Sequence, residues 1–364
     1  MAPSRPPARA GARTELRNRA KVRVWLYLTA LVLLVLVIVG GATRLTDSGL
    51  SITEWAPIHG VIPPLTEAQW QAELEKYRQI PEYQLVNKGM SMAQFQFIYW
   101  WEWGHRFLAR ALGLVFALPL ALFWLAGRLD ARIRLPLVGL LALGGLQGFI
   151  GWWMVSSGLT ERVDVSHYRL AVHLCMAALI LGGLVWVARS IAPHAADLRP
   201  AARSHVWAGA LAGLVFLQIY LGALVAGLDA GWVFNQWPMM GEGLFPAVMW
   251  EPALGWRNWV ENPAMVQFAH RIGAYALLVA VLIHAWHCRR WAPGSTHARR
   301  AMVLAALVAA QALVGIVTLI MVVPLSWALV HQGLAFFVLA FAVAHWRAMI
   351  GPLPLSDGRP HRHA

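Results

Sequence analysis

Long apolar segments separated by short polar ones dominate the pattern along this chain. A hydrocarbon layer of about 30 Å is crossed by roughly 20 helical residues, each of which adds about 1.5 Å. Segments of at least this length recur throughout the sequence. They predict an all-α polytopic membrane protein with eight transmembrane helices, at residues 24–45, 94–126, 135–157, 167–189, 206–228, 265–288, 300–323 and 326–349.

The second part of the pattern repeats the first. Two loop residues recur with the same 182-residue separation, and a Gln-x-x-x-Gly spacing recurs in the helices. Because four helices separate the matched positions, both copies have the same orientation, which predicts two pseudo-symmetric four-helix bundles made by a parallel internal duplication. The alternative is that Gly and Gln at these spacings only reflect close helix packing in lipid. The matched positions are Asp47 with Asp229, Trp55 with Trp237, and Gln147 and Gly151 with Gln311 and Gly315, and the spacing is shared by Gln218 and Gly222.

The composition excludes a soluble domain of this size. Of the 364 residues, 59% are hydrophobic and 13% are charged, and the mean hydropathy is +0.55. The net charge of +13 would suit a nucleic-acid partner, but the Lys and Arg residues concentrate in alternate loops and in both termini. The positive-inside rule therefore places both termini in the cytoplasm and explains the charge without nucleic acid. We expect a multi-pass protein in the lipid of a bacterial inner membrane.

Charge and hydropathy divide the chain into two bundles, a linker and two tails. The first 23 residues are Arg-rich and lack the apolar core of a secretory signal, which favours a disordered cytoplasmic tail over an organellar transit peptide. The two cysteines, Cys175 and Cys288, lie inside predicted helices, so no disulfide is expected. The predicted domains are a tail at 1–23, an N-terminal bundle at 24–190, a linker at 191–205, a C-terminal bundle at 206–350 and a tail at 351–364.

Two long loops leave the same side of the predicted membrane. The first, at about 47–92, is amphipathic from Glu67 to Leu74, which predicts a short interfacial helix. The second, at about 229–263, carries five tryptophans, which is typical of an aromatic belt at the lipid headgroups.

Four of the fourteen histidines lie near the outer ends of helices that run from outside to inside. Each bundle would thereby bring two imidazoles together, and such a pair suits the two axial positions of a heme iron. Zinc or copper would be expected to add carboxylate or thiolate ligands. For each position taken alone, the alternative is a hydrogen-bonded core histidine. The four are His105 and His173 in the first bundle and His270 and His331 in the second, with His167 as the alternative to His173.

Three further histidines fall at the predicted cytoplasmic ends of the sixth and eighth helices. They are His284, His287 and His345. Solvation at the membrane interface explains them better than ligation, so we expect no special role for them.

An acid distinguishes the first bundle from the second. Glu102 lies about one helical turn before His105, so both side chains share a helix face, and the matching position is Gln267. A carboxylate in a low-dielectric site can take or give a proton, or stabilise a cation forming on a substrate. The alternative is that it only holds an arginine or a tryptophan N–H. Arg106 and Arg271 follow the two histidines, where they either pair with heme propionates or extend to lipid headgroups.

Several of these residues belong to longer motifs. These are Glu-x-x-His-Arg at 102–106, Gly-Ala-Thr-Arg-Leu-Thr-Asp-Ser-Gly-Leu-Ser at 41–51 with Glu54-Trp55, Tyr-Arg-Leu-Ala-x-His-Leu at 168–174, His270-Arg271 and His331-Gln332. In these motifs the chain resembles the heme A synthases, which are cytochrome oxidase assembly enzymes. The resemblance covers about 24–350. Since the chain has no cysteine pair in an outer loop, it is similar to the branch shared by mitochondria and many proteobacteria.

The resemblance implies roles for the site residues. A heme b cofactor is expected in the C-terminal bundle, with its iron held by His270 and His331. Substrate heme O is expected in the N-terminal bundle, with its iron near His105 and His173. The implied reaction oxidises the ring C8 methyl group of heme O, by successive hydroxylations, to the formyl group of heme A. Glu102 would be the acid close to that methyl group.

Two other functions fit the same residues. One is a two-heme membrane cytochrome that passes electrons from a quinol, and the other is a non-enzymatic heme carrier or assembly chaperone. A pure electron carrier would tolerate Glu102→Gln, whereas the synthase would lose product formation and still bind heme. The expected partners are heme O synthase, oxidase assembly factors and a second copy of the chain.

Overall fold

The computed structural model describes residues 8–55, 59–194 and 204–356. Within these ranges the regular secondary structure is helical, and eight helices are long and apolar enough to cross a membrane, which confirms the prediction. Except for the start of the first helix, every one of these helices begins and ends within four residues of its predicted bounds. The helices are α1 (Ala8–Leu45), α2 (Met92–Leu125), α3 (Ala131–Ser156), α4 (His167–Ser190), α5 (Ser204–Gly227), α6 (Pro263–Trp291), α7 (Thr296–Ile320) and α8 (Leu325–Ile350).

Two long segments, at 46–91 and 228–262, lie at one end of the molecule, which we call the outer end; the opposite end is the inner end. The first segment contains a helix at Glu67–Tyr77, which confirms the predicted amphipathic helix. Its Tyr77 packs against Phe95 of α2 and anchors the segment. The five tryptophans of the second segment are about half exposed or more, and their place in a headgroup belt stays a prediction.

Polar caps fix the starts of the histidine-bearing helices α2 and α6. Ser91 Oγ accepts a hydrogen bond from the backbone N–H of Gln94, whose side-chain oxygen accepts one from the N–H of Ser91. Asn262 caps α6 by accepting from two backbone N–H groups, and Pro263 takes the first helical position. Local sequence therefore sets where both helices leave the outer segments.

Helix α1 begins at Ala8, well before its predicted membrane segment. The prediction of a disordered tail is therefore wrong for residues 8–23. Arg19 is only 3% exposed, pairs with Asp130 at 2.8 Å and donates to the carbonyl of Leu353. These contacts hold the inner end of α1 against neighbouring segments. The rest of the predicted tails and most of the predicted linker, at 1–7, 195–203 and 357–364, lie outside the described residues.

The eight helices pack as two groups of four. In the second group each helix from α5 to α8 packs against its successor, and α8 returns against α5, so this ring of helices is closed. In the first group α1 packs against α2 and α4, and α3 packs against α4, but α2 and α3 meet over only a short stretch. The first bundle is therefore open on one side. Contacts of α4 with α5 and α8, and of α1 with α8, join the two groups.

Backbone geometry at the outer end supports the predicted duplication. Asp47 and Asp229, the matched loop residues, both adopt the left-handed conformation, with φ of 48° and 53°. This conformation is uncommon for a residue with a side chain. Arg44 forms ion pairs with both, at 3.2 Å and 2.9 Å, and so ties the two halves together.

Apolar side chains fill the space between the helices and also cover their outward faces. Leu26, Leu137 and Phe336 belong to one buried core that extends through both groups. Leucines on the outward faces, such as Leu118 of α2, stay exposed. Because lipid tails are as apolar as leucine, outward faces of this kind suit a bilayer.

Candidate functional site

Each of the four predicted histidines lies beside a glycine of a neighbouring helix. A β-carbon added to Gly315 would lie 2.7 Å from Cε1 of His331, closer than side chains approach, so a larger residue would push the ring away. The other three pairs show a similar approach, at 3.0 to 3.2 Å. The close packing therefore fixes all four rings at one level of the molecule. The pairs are Gly40 with His105, Gly151 with His173, Gly222 with His270, and Gly315 with His331.

The second bundle brings His270 and His331 together across its interior. Their ring centroids lie 6.3 Å apart, and their planes make an angle of 81°. Two metal–imidazole bonds of about 2 Å on opposite sides of one ion place the ring centres about 6 Å apart. Both residues are partly exposed. The pair therefore has the separation expected of the two axial ligands of a heme iron.

A glutamine one helical turn before each of these glycines supports the histidine. Gln218 Nε2 lies 2.7 Å from the carbonyl oxygen of His270 and 3.0 Å from its Nδ1. Gln311 Nε2 lies 2.9 Å and 3.1 Å from the same atoms of His331. Through these contacts each glutamine fixes the position of the imidazole beside it. The sequence pattern shows the spacing of these glutamines but not their role.

The first bundle supports its two histidines unequally. Gln147 Nε2 lies 3.0 Å from the carbonyl oxygen of His173 and 3.3 Å from its Nδ1, as in the second bundle. His105 lacks this support, because the residue one turn before Gly40 is Leu36. Nε2 is also the ring atom of His105 nearest to Gly40, whereas the other three histidines present Cε1 to their glycines. One imidazole of the first bundle is therefore held differently from the other three.

Glu102 is buried at the outer end of α2, with 3% of its surface exposed. Its Oε2 accepts hydrogen bonds from Ser51 Oγ and from the N–H of Ile52, both at 2.8 Å. Its Oε1 accepts from Arg106, at 3.0 Å from Nε and 2.6 Å from one Nη. Arg106 also donates to the carbonyls of Ile52 and Glu54. Glu102 thus holds an arginine and ties the loop after α1 to α2, and its catalytic role stays a prediction.

Gln267 and Arg271 make the same connection in the second bundle without the negative charge. Gln267 donates to the carbonyls of Ala230 and Phe234, at 2.8 Å and 3.1 Å. Its side-chain oxygen accepts from Arg271, which also donates to carbonyls within 234–239. Glu102 therefore accepts hydrogen bonds from its loop, whereas Gln267 donates to its loop, and the two contacts differ in formal charge. Both guanidinium groups are engaged with the loops, so their pairing with heme propionates stays a prediction.

The similarity to known proteins extends over both bundles. The model of the family described as cytochrome oxidase assembly protein matches residues 23–343. The chain belongs to this family. The heme A synthase of Allorhizobium ampelinum is 58% identical over 349 residues, which cover 96% of each chain. The heme A synthases of Chelativorans sp. and Rhizobium meliloti are 57% and 54% identical, over 93% and 94% of this chain and 93% of each relative.

His167, the alternative ligand in this family member, lies apart from the first pair. It begins α4 and packs against the end of α5, where a β-carbon added to Gly227 would lie 2.7 Å from its Cβ. Its ring centroid lies 4.0 Å from that of Tyr168. These contacts place His167 at the junction of the two groups, and the choice of His173 as the partner of His105 stays a prediction.

The interpretation of His284 and His345 as solvated interfacial residues is wrong. They are 5% and 1% exposed, and their Nε2 atoms lie 2.9 Å apart between α6 and α8. Cys288 Sγ lies 3.6 Å from His284 Nε2. His287, by contrast, is partly exposed and lies beside Trp291. The signal in the sequence is the i, i+4 spacing of His284 and Cys288, which places both on one helix face.

Proposed function

We propose that the protein is a heme A synthase, which oxidises the ring C8 methyl group of heme O to a formyl group by successive hydroxylations. Membership of the family and relatives named heme A synthase support this reaction. The observation that carries it in this chain is the difference between the bundles. Both contain two glycine-packed imidazoles, and only the first adds a carboxylate, Glu102, about one turn before a histidine. A protein that only passes electrons needs no such acid.

The second bundle fits a resident heme b. His270 and His331 would be its axial ligands, since their separation matches two imidazoles on one iron. Gln218 and Gln311 would keep both rings oriented. The closed ring of α5 to α8 suits a group that stays in place. Bound there, the heme supplies one-electron redox chemistry.

The first bundle fits a substrate that enters and leaves. Helices α2 and α3 leave an opening between them. In addition, the face of α3 that carries Gly151 contains two more glycines. Gly144 and Gly148 lie about two turns and one turn before Gly151, and a β-carbon added to either would meet nothing within 4 Å. The matching positions of α7 are Val308 and Ala312. The smaller residues leave room for heme O to exchange with the bilayer beside the first histidine pair.

Glu102 would act as a fixed negative charge beside the substrate. Four hydrogen bonds, from Ser51, Ile52 and two nitrogens of Arg106, hold its two oxygens in place. In a site of low dielectric, a preorganised charge stabilises the opposite charge that develops on a substrate, because no reorganisation is needed during the reaction. The Arg106 guanidinium balances this charge in the resting protein.

Heme analysis tests the proposed function. The full chain, expressed in a host that makes heme O but no heme A, should produce heme A that is detected by chromatography and mass spectrometry of extracted hemes. The same host without the protein is the control. Heme O that stays bound to the purified protein in air, without formation of heme A, would indicate a carrier or an electron-transfer protein instead.

The proposed location is a bacterial inner membrane, with both termini in the cytoplasm. The eight apolar helices, the bacterial relatives and the positions of the Lys and Arg residues support it. Heme O synthase, oxidase assembly factors and a second copy of the chain are the proposed partners.

A further inference from the structure

We propose that His284, Cys288 and His345 form a copper(I) site at the inner end of the second bundle. All three side chains are buried, with 5%, 4% and 1% of their surfaces exposed. Their donor atoms all lie within 4.8 Å of one another. His284 and Cys288 are four residues apart on α6, so they share a helix face, and His345 completes the group from α8.

This cluster is separate from the proposed heme site on the same two helices. His284 lies fourteen residues after His270, and His345 lies fourteen residues after His331. Fourteen helical residues correspond to about 21 Å along the axis. The ring centroids of His284 and His345 are 5.2 Å apart, against 6.3 Å for the outer pair. With 2.9 Å between the two Nε2 atoms, the inner pair leaves too little space for an iron with a porphyrin between the rings.

The distances suit a small ion that binds two nitrogens and a sulfur. Metal–nitrogen bonds of about 2.0 Å and metal–sulfur bonds of about 2.3 Å place nitrogen and sulfur about 3.6 Å apart around one ion. Cys288 Sγ lies 3.6 Å from His284 Nε2. The two imidazoles need to separate by only about 0.5 Å to reach the nitrogen–nitrogen distance of such a site. The present distance is that of a hydrogen bond between the two Nε2 atoms.

The ligand types and the charge select copper(I). Imidazole and thiolate are ligands of soft or borderline metals, and the group contains no carboxylate. Met349, one turn after His345, adds a buried thioether to the same helix face. Copper(I) with one thiolate is neutral, whereas zinc would leave a net positive charge that is costly to bury.

The cluster lies close to the inner ends of both helices. Cys288 lies three residues before the end of α6, and His345 lies five residues before the end of α8. These intervals correspond to about 5 and 8 Å of helix. A bound ion would join α6 to α8 at the end opposite the proposed heme site.

Metal titration of the full-length protein in detergent tests the proposal. The protein is purified without oxygen, treated with a chelator and titrated with buffered copper(I), and in parallel with zinc. We expect one tightly held copper(I) per chain, with sulfur and nitrogen neighbours in X-ray absorption spectra. Cys288→Ala should lose the sulfur neighbour and weaken copper(I) binding at least tenfold. The matched control is Cys175→Ala, which removes the other cysteine and should leave copper(I) binding unchanged.

The heme content of each variant serves as an internal measure of folding and separates this site from the proposed synthase activity. It should stay at the wild-type level in Cys288→Ala and in a second variant, His345→Gln, which should also lose copper(I). Three results would overturn the proposal: no copper(I) retained by the wild type, equal retention by Cys288→Ala, or one tightly bound zinc in place of copper. Loss of heme from correctly assembled His345→Gln would assign the pair to heme instead.

Discussion

The two bundles place their histidines in the same way, against glycines, and differ in how the surrounding residues close, support and charge the site. Each imidazole packs against a glycine of a neighbouring helix, at 2.7 to 3.2 Å from the position of an added β-carbon. The second bundle then closes its ring of helices, supports both histidines with glutamines and has a neutral amide, Gln267, in its outer contact. The first bundle stays open between α2 and α3, supports one histidine with a glutamine and buries a carboxylate. One scaffold thereby suits a resident cofactor in one half and an exchanging substrate in the other.

Replacing a proposed axial ligand should give the largest difference in bound heme between the two bundles. His270→Ala or His331→Ala should abolish the tightly bound heme spectrum of the purified protein, because one imidazole cannot complete the axial pair. His105→Ala is the matched change in the first bundle and should keep most of that spectrum. Optical spectra at equal protein concentration measure the effect. Unchanged spectra in both second-bundle variants would mean that the resident heme is assigned to the wrong half.

Replacing the glutamine that supports a histidine should likewise reduce resident heme in the second bundle and not in the first. Loss of a side chain that orients a ligating histidine lowers metal affinity by about 10 to 100-fold. Gln311→Leu should therefore release heme from the second bundle during purification, whereas Gln147→Leu, which removes the support of His173, should retain it. Heme per protein after extended washing is the measurement. Equal loss in the two variants would show that the supports do not distinguish the bundles.

The opening in the first bundle can be filled. Gly148→Leu places a side chain in open space beside the first pair and should lower heme A formation about tenfold, which corresponds to about 1.4 kcal/mol of activation free energy. Gly139→Leu is the control, because residue 139 lies on the opposite face of α3 and its added β-carbon also meets nothing within 4 Å. Resident heme should be unchanged in both variants. If Gly148→Leu makes heme A as fast as Gly139→Leu, the substrate does not use this face.

The smallest expected effect concerns the loop that covers the first bundle. Burial raises the pKa of Glu82 from 4.5 to about 8, although Tyr77 donates a hydrogen bond to it. A raised pKa in the folded state means that stability is full below pH 4.5 and decreases until about pH 8. Hydrogen exchange of residues 67–90, corrected for its intrinsic pH dependence, should therefore become faster over this range. Glu82→Gln should remove the trend, and Glu67→Gln, at an exposed position, should preserve it.

Much of this arrangement is predictable because it depends on local sequence. The lengths of the apolar segments predict the eight helices. The similar depth of one histidine in every second helix predicts the four imidazoles of the site. The features that escape prediction depend on contacts between distant segments. Arg19 is ordered by Asp130 and Leu353, which lie 111 and 334 residues away. The pairing of His284 with His345 depends on how α6 and α8 lie across the closed ring from each other, and hydropathy alone makes their helix ends look solvated.

The opening of the first bundle is only partly predictable from the sequence. Gly144 and Gly148 are visible in the sequence, but glycine in a membrane helix also permits close packing. Only the placement of α2 shows that no neighbour fills the space beside them in the described part of the chain. Likewise, the sequence shows the acid at Glu102 but not the loop residues that hold it.

Heme A formation by Glu102→Gln tests the central claim, that the charge of the outer contact makes the first bundle the reactive one. Glutamine keeps the size of the side chain and one accepting oxygen, and the heme b content of the variant reports whether the fold is retained. The predicted result is a fall in the rate of heme A formation of about 10² to 10⁴-fold with heme b content unchanged. A variant that forms heme A at the wild-type rate would contradict it.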